Sequence, residues 1–466
     1  MTNSADLVSF AEQGCGVFFH FSSVSALKAG LWFGFLCFRQ FCSVCFYSAA
    51  EERIIMTDTS DHIVIIGASH AGLSCAERLR GAGFDGRITV LDRDPGLPLQ
   101  RPPLSKTYLK ADLAGGEAAF ALRKSDWFDN FNITFRPDCA VSAIIPEARQ
   151  IHLADDSSVS YDHLVLATGA FARPLPQAAD APNLHVLRTA GDARLLRAGL
   201  ATVRTAVVIG GGYIGLEAAA SLRSLDIDVH VVEMAPRLLA RVASPALSEH
   251  CAALHRQHGV QLHLGTATQN IQTDKSGRIT AVHLAGGQAV DTQLVLAGIG
   301  IIPDTALAEA AGLAVDNGIV TDAEYLTSDP HISAIGDVAR APAIHPFRVE
   351  SIHHAQFSGA VVAARLTASA VPSREAWWFW SDQYDVKYQM AGLVPAQAPS
   401  VSSVTRTGRR ENSLSVWSYD GAELVSVEAA NDPQAYMIGK KCLEAGLSPA
   451  SSDIINPDFV LKSLLS

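Results

Sequence analysis

One pattern, occurring twice, limits what this chain can fold into more than any other: a β-branched run that stops at a glycine and passes directly into a helical period. The first copy reads H-I-V-I-I-G-A-S-H-A-G-L-S-C-A-E-R-L-R-G-A-G from His62. Residues 63–66 predict a buried strand, and Ala71, Cys75, Ala76 and Leu79 predict a helix that closes at Gly81 and Gly83. Gly67 and Gly72 fill the outer positions of G-x-G-x-x-G, where the turn is tight and the helix packs close to the strand, so that its N-terminus faces a pyrophosphate. Ser69 holds the middle position, with a side chain where the backbone should approach the phosphates. The next strand, Arg87–Leu91, ends at Asp92, placed to accept ribose hydroxyls, with Asp94 as a less well placed substitute.

The second copy is cleaner. Thr205–Ile209 leads into G-G-G-Y-I-G-L-E, and Gly210, Gly212 and Gly215 fill all three glycine positions. The strand at 229–232 ends at Glu233, 23 residues after Gly210, near the ~20-residue spacing of a ribose-binding acid. A carboxylate there bonds a free 2′-hydroxyl and repels a 2′-phosphate, which predicts NADH over NADPH. Arg237, four residues on, is either a solvated charge or one that softens that preference. Two such units imply two dinucleotides side by side, and the natural pair is FAD held tightly and a nicotinamide dinucleotide that exchanges.

Composition agrees with a globular chain: 48% hydrophobic and 18% charged residues exclude disorder, and a net charge of −11 argues against nonspecific nucleic-acid binding. The first 55 residues differ, holding nine of the 19 Phe and four of the eight Cys. Their longest uncharged stretch, 13–27, is shorter than the ~18 residues of a spanning helix, and Asp6 and Glu12 occupy the part that a signal peptide keeps basic. Residues 1–55 therefore read as an extension outside the functional protein, with a membrane anchor as the alternative. Cys42 and Cys45 form C-x-x-C, and Cys37 and Cys42 are also spaced like a redox pair, but neither has the strand and helix context of one. Cys75, Cys139, Cys251 and Cys442 are scattered, as expected of small buried side chains in a reducing, cytoplasmic compartment.

Four further motifs follow in order: R-P-P-L-S-K at 101–106, Y-D-H-L-V-L-A-T-G at 161–169, A-I-G-D-V at 334–338 and W-F-W-S-D-Q-Y-D at 378–385. With them, residues 60–463 resemble the flavin-dependent ferredoxin reductases of bacterial oxygenase systems, the putidaredoxin and rhodocoxin reductase group. The resemblance implies an α/β fold with two Rossmann-like dinucleotide-binding domains, one of them discontinuous, and a C-terminal α+β interface domain. The expected division is 56–173 with 294–370 for FAD, 174–293 for NAD and 371–466 for the interface, the chain returning through G-I-G-I-I-P at 298–303, which contains Gly300.

The resemblance also implies roles for residues. Asp337, with Gly336 before it, binds the ribityl chain; Arg101 and Lys106 lie along the flavin; Lys106 pairs with Glu217 near the nicotinamide. A buried lysine needs a carboxylate partner, and a positive charge near the flavin favours its reduced, anionic ring. From spacing alone, Lys106 equally fits an ordinary surface lysine and Glu217 a helix-surface acid. Thr168 and Gly169 belong to the flavin site, Arg173 approaches the FAD phosphates, and Glu350 contacts nicotinamide. Trp378 and Trp380 face the flavin and a docking partner, and Trp377 stands where the family usually has proline. His353 and His354 lack further ligands at suitable spacing, so no metal is expected.

The implied activity is transfer from NADH through FAD, one electron at a time, to an acidic [2Fe-2S] ferredoxin or similar iron-sulfur protein, with neither nucleic acid nor membrane as a partner. Related disulfide reductases carry cysteines on the helix after the first motif; here that region reads R-P-P-L-S-K-T-Y-L, which leaves the flavin itself as the exit. The same fold serves monodehydroascorbate reductases, apoptosis-inducing-factor-like NADH oxidoreductases and non-catalytic redox sensors, and these remain alternatives. Arg406, Arg409 and Arg410, with Lys440 and Lys441, are the candidate docking charges in an otherwise acidic chain.

Overall fold

Buried on all five side chains, His62–Ile66 forms the central strand of a parallel sheet whose order is Ile332–Ala334, His163–Leu166, His62–Ile66, Arg87–Leu91, Thr134–Arg136. This is seen in a computed structural model that describes residues 56, 58–373, 375–393 and 400–465. The expected extension, 1–55, and its cysteine pairs lie outside the described residues. Ile66 is in register with Leu91 and with Leu166, so three strands end together beside Gly67. A shared end of this kind, at the carboxyl edge of parallel strands, is where α/β sheets bind ligands.

The second sheet repeats the design in the order Gln261–Leu264, Asp228–Glu233, Thr205–Ile209, Leu294–Ala297, Leu184–His185. Ile209 is in register with Val232 and with Ala297, beside Gly210. Here the structure departs from the expected division, because Leu294–Ala297, assigned from sequence to the returning half, is hydrogen-bonded to Thr205–Ile209. Four buried apolar residues suit either sheet by composition; what holds this strand is its ladder to Thr205–Ile209, continued by Gly298 N donating to Ile209 O at 2.8 Å. The chain crosses back only at Ile301–Pro303, antiparallel to Ala170–Ala172.

Each unit also carries an antiparallel three-stranded meander, Val141–Ile145 with Gln150–Leu153 and Ser158–Ser160 in the first, Thr268–Thr273 with Ile279–Leu284 and Ala289–Asp291 in the second. The helix after the first glycine turn, His70–Gly81, crosses the long helix Ile352–Leu366 so closely that a Cβ on Gly359 would lie 2.9 Å from Ala71 O. The C-terminal part is a five-stranded antiparallel sheet, Trp378–Gln383, Val386–Gly392, Glu423–Ala430, Leu414–Asp420, Val401–Thr407. The helix Pro433–Ala445 packs on it over Trp417, Val427, Ile438 and Cys442, capped by Asp432 and ended by Gly446 at φ +65°. Val386, Tyr388, Met390 and Ala430 join the core of the second unit, so the interface sheet and that unit share apolar packing. Among the described residues no helix is long and apolar enough to cross a membrane.

Candidate functional site

The two glycine turns superimpose in their geometry. Gly67 and Gly210 have φ of +110° and +108°, and a Cβ on them would meet Ala167 O at 2.3 Å and Gly298 O at 2.4 Å. A Cβ on Gly72 or Gly215 would lie 2.0 or 2.4 Å from the carbonyl of the first glycine in its own turn. These four glycines are required by the chain itself. The middle position is different. A Cβ on Gly212 meets nothing within 4 Å, and Ser69 takes its place in the first turn with an ordinary φ of −93°.

Both helices that follow are left uncapped. Ser69 has a hydroxyl suited to an N-cap and makes no capping hydrogen bond, and Gly212 has no side chain to make one. The other described helices of ten or more residues are capped, by Thr189, Ser244, Ser351 and Asp432. Two open helix N-termini, each at the carboxyl edge of a parallel sheet and each with room at the middle position, fit two dinucleotide pyrophosphates.

Each turn is closed by its acid. Asp92 Oδ2 accepts from Ala68 N at 2.7 Å and Oδ1 from Asp94 N at 2.9 Å; burial raises its carboxyl above the ordinary range, opposed by these N–H groups. Glu233 Oε2 accepts from Gly211 N at 2.7 Å and Oε1 from Ala235 N at 2.7 Å. The acids are thus held at the strand ends where a ribose would lie. Arg237, open from sequence, donates to Ala240 O and Ala243 O, so its guanidinium is occupied by its own loop.

On the flavin side, Ala68, Ser69, Asp92, Gly96, Arg101 and Arg194 line one cavity. Arg101 donates to Arg188 O at 2.5 Å, and burial lowers its ordinary value to about 10. Arg188, not singled out from sequence, pairs with Asp337 at 2.6 Å and donates to Ala170 O, which ties the two expected flavin motifs together. Its signal in the sequence was weak, a lone arginine before the capping box of Thr189 and Asp192. Gly336, at φ +72°, lies so close to the first helix that a Cβ would sit 2.8 Å from Ala71 Cβ. His70 Nε2 is buried in this region with no hydrogen-bond partner, and burial, with Arg101 nearby, pushes the ring down to about 4. The glycine cradle, the uncapped helix and this unsatisfied nitrogen fit FAD.

The two units meet at an ion pair. Lys106 Nζ lies 2.8 Å from Glu217 Oε2, which also accepts from Ser105 Oγ at 2.5 Å. Glu217 is 3% exposed, so it belongs to the interior face of its helix. Ser105 is held in turn by Ser221, whose hydroxyl donates to its carbonyl at 2.7 Å. A buried carboxylate in this setting needs its cation, and the sequence reading brought both together.

Other expected residues are placed more loosely. Trp378 and Trp380 lie on one face of their strand with ring centroids 5.6 Å apart, while Phe379 on the other face packs edge-on against Tyr213. Trp377 is buried against His353, His354 and Phe357. Glu350 is exposed and paired at 2.7 Å with Arg348, which donates to Asp337 O. Thr168 donates to Asp304 O, and Gly169 accepts from Asp304 N. Arg173 N donates to Gly300 O, with the Arg173 side chain exposed.

The docking cluster needs correction. Arg406 is buried, and its guanidinium donates to the carbonyls of Ile454, Asn456, Pro457 and Phe459, stapling the C-terminal segment to the sheet. Lys440 is engaged by Glu375 and Glu444 at 2.8 and 2.6 Å. Arg409, Arg410 and Lys441 remain exposed. A run of charges in sequence could not show that one of them points inward.

Residues 61–359 match the family model for pyridine nucleotide-disulphide oxidoreductases, and residues 378–465 match the reductase C-terminal model. The chain is 40% identical over 404 residues to rhodocoxin reductase of Rhodococcus erythropolis, covering 86% of this chain and 93% of that protein. It is 36% identical over 422 residues to putidaredoxin reductase of Pseudomonas putida, covering 88% and 98%. Among solved structures, the ferredoxin reductase for the CYP199A2 system from Rhodopseudomonas palustris matches with a TM-score of 0.82 at 37% identity, covering 87% of this chain and 100% of that one. The covalent putidaredoxin reductase–putidaredoxin complex matches with a TM-score of 0.82 at 35% identity, covering 88% and 99%.

Proposed function

The chain belongs to the pyridine nucleotide-disulphide oxidoreductase family, which uses FAD and NAD(P)H, and from that premise we propose an NADH-dependent reductase that delivers electrons singly to a [2Fe-2S] ferredoxin or rubredoxin-like protein of an oxygenase system. The observation that carries the reading is the Lys106–Glu217 pair: it joins the two dinucleotide units in the segment where disulfide reductases carry their cysteines. Ser105 and Lys106 stand there instead, and the described cysteines lie elsewhere, at 75, 139, 251 and 442, three of them buried. The bound flavin supplies the chemistry of accepting an electron pair and releasing it in single steps.

The chain's own residues bind and orient. The helix N-terminus at Ser69, with Gly67, Gly72 and Asp92, takes the adenine half of a tightly held FAD, while Arg101, Arg188, Gly336 and Asp337 take the rest, near Thr168, Gly169, Arg173 and Gly300. Gly210, Gly212 and Gly215 admit the nicotinamide dinucleotide, and Glu233 selects NADH by repelling a 2′-phosphate. Lys106, fixed by Glu217, places a positive charge at the flavin; Glu350 borders the nicotinamide; Trp378 and Trp380 border the partner's face. The division that follows is 56–173 with 298–370 for FAD and 174–297 for NADH, ahead of the interface domain at 371–466. The four described cysteines are free thiols, which agrees with a cytoplasmic setting. The test is anaerobic titration with NADH, which should bleach the flavin, followed by transfer to a panel of iron-sulfur proteins; a flavin that NADH leaves oxidised, or transfer to none of the panel, defeats the reading.

A further inference from the structure

Glu217 is held by more than its lysine. Its Oε1 accepts from Ser381 Oγ at 2.6 Å, Ser381 Oγ accepts from Gln383 Nε2 at 3.1 Å, and Gln383 Oε1 lies 2.8 Å from His255 Nε2. Cys251 Sγ donates to the same Gln383 oxygen at 3.2 Å. Ser381, Gln383 and His255 are all 0% exposed. The far nitrogen of the ring, Nδ1, is 3.4 Å from the hydroxyl of Tyr384, whose ring stacks on the exposed imidazole of His258.

The direction of this chain follows from its chemistry. A carboxylate only accepts, so the Ser381 hydroxyl donates to Glu217 and must take its own hydrogen bond from the Gln383 amide N–H. That turns Gln383 Oε1 toward the ring, which must carry its proton on Nε2. Burial lowers His255 to about 4, so at neutral pH the ring holds one proton and Nδ1 accepts from Tyr384. Each donor thus points toward Glu217. The chain draws on the helix Pro245–Gln257 of the second unit and the strand Trp378–Gln383 of the interface sheet, and it ends at the residue that pairs with Lys106 of the first unit.

We propose that Ser381, Gln383 and His255 are positioning residues that hold the Glu217 carboxylate turned toward Lys106 and thereby set the rate at which NADH reduces the flavin. This rests on the reductase reading above. The loss of one hydrogen bond to a buried charge translates into a rate loss of about tenfold to hundredfold.

The holoprotein and its Ser381→Ala, Ser381→Thr, Gln383→Leu and Glu217→Gln variants test it. Ser381→Ala should keep parental flavin content with a thermal midpoint lowered by no more than a few degrees, lose about tenfold to hundredfold in the flavin reduction rate at saturating NADH with KM within about threefold, and be rescued by Ser381→Thr. In the Glu217→Gln background, adding Ser381→Ala should cost much less than it does alone. Independently of turnover, imidazole 15N resonances of the parent should report His255 protonated on Nε2, and Gln383→Leu should erase that preference. A parental reduction rate in Ser381→Ala, the same rate loss in both backgrounds, or a parent His255 protonated on Nδ1 each overturns the proposal, and the last needs no variant to fold. A parent flavin that NADH does not bleach defeats the reductase reading and this inference with it, whereas a bleached parent and an unaltered Ser381→Ala defeat this inference alone.

Discussion

The two dinucleotide units are the same device built with different residues, and the differences separate what the fold demands from what a ligand demands. The outer glycines agree in both units because a Cβ there would strike a backbone carbonyl within 2.4 Å. The middle residues disagree, Ser69 against Gly212, because neither fold needs glycine there. The second residues also disagree, and they do so together with their acids. Ala68 accompanies Asp92, whereas a Cβ on Gly211 would meet Leu238 Cδ2 at 2.7 Å and Glu233 Oε2 at 3.2 Å. Leu238, with the longer acid beside it, fills the space that the alanine methyl occupies in the first unit, and both acids still reach the corresponding backbone N–H. A fingerprint counted as three equal glycines mixes two kinds of constraint.

The hardest way to break this comparison is at the fold-required positions. Gly72→Ala would place Cβ 2.0 Å from Gly67 O, and backbone cannot yield as a side-chain tip does, so a destabilisation on the order of 3 kcal/mol is expected. The variant should purify without flavin and with a lowered thermal midpoint. Gly215→Ala, 2.4 Å from Gly210 O, should instead leave flavin bound and impair reduction by NADH. If Gly72→Ala keeps full flavin absorbance, the turn relaxes more than its geometry implies.

Where the units touch, the next effect is read on transfer rather than on flavin binding. Lys106→Ala strands the Glu217 carboxylate, and Glu217→Gln leaves Lys106 facing a neutral partner, each slowing flavin reduction by about tenfold to hundredfold. Flavin content should change little. The double variant should cost less than the two single losses combined, and strictly additive losses would show that the pair does not act as one.

The acids differ in what they should select. Glu233→Ala should narrow the preference for NADH over NADPH about tenfold, near 1.4 kcal/mol, read as the ratio of kcat/KM values. Asp92→Ala should weaken FAD retention and leave that ratio alone. Equal narrowing by both would mean that nucleotide choice is set by overall charge rather than at one ribose.

How much of this was legible follows the same division. The strands, both turns and the helices around them were readable because β-branched runs, helical spacing and positive-φ glycines are local. The Lys106–Glu217 pair was readable only through the family's motifs, since its members lie 111 positions apart. Leu294–Ala297 pairs in the second sheet and not the first, a choice hidden in the sequence because four apolar residues carry no mark of which sheet they join. Arg406 is indistinguishable in sequence from a docking charge because its partners, carbonyls of 454–459, have no side-chain signature. Arg188 and the chain from Ser381 to His255 escaped for a similar reason: each depends on residues from separate elements meeting, with ordinary residue types at every step.

The finest test exchanges the middle residues. Ser69 sits at φ −93° without a capping bond, so Ser69→Gly relieves no strain and should lower stability by about 0.5 kcal/mol, through the freer unfolded chain alone. Gly212 sits at φ −84° with open space around its Cα, so Gly212→Ser should fold as well as the parent or slightly better. What distinguishes the two is the ligand. A hydroxymethyl group at 212 stands between an uncapped helix and a pyrophosphate that must arrive and leave in each turnover, and KM for NADH should rise about threefold to tenfold. At 69 the loop has formed around a serine, and for a flavin held tightly, as proposed, removing that side chain should change FAD retention by less than about twofold. Thermal midpoints, flavin retention under dilution and KM for NADH read the three effects separately. If Gly212→Ser lowers the thermal midpoint by several degrees, the middle glycine is a fold requirement after all, and Ser69 must then be accommodated by a difference in backbone path that the two turns do not show.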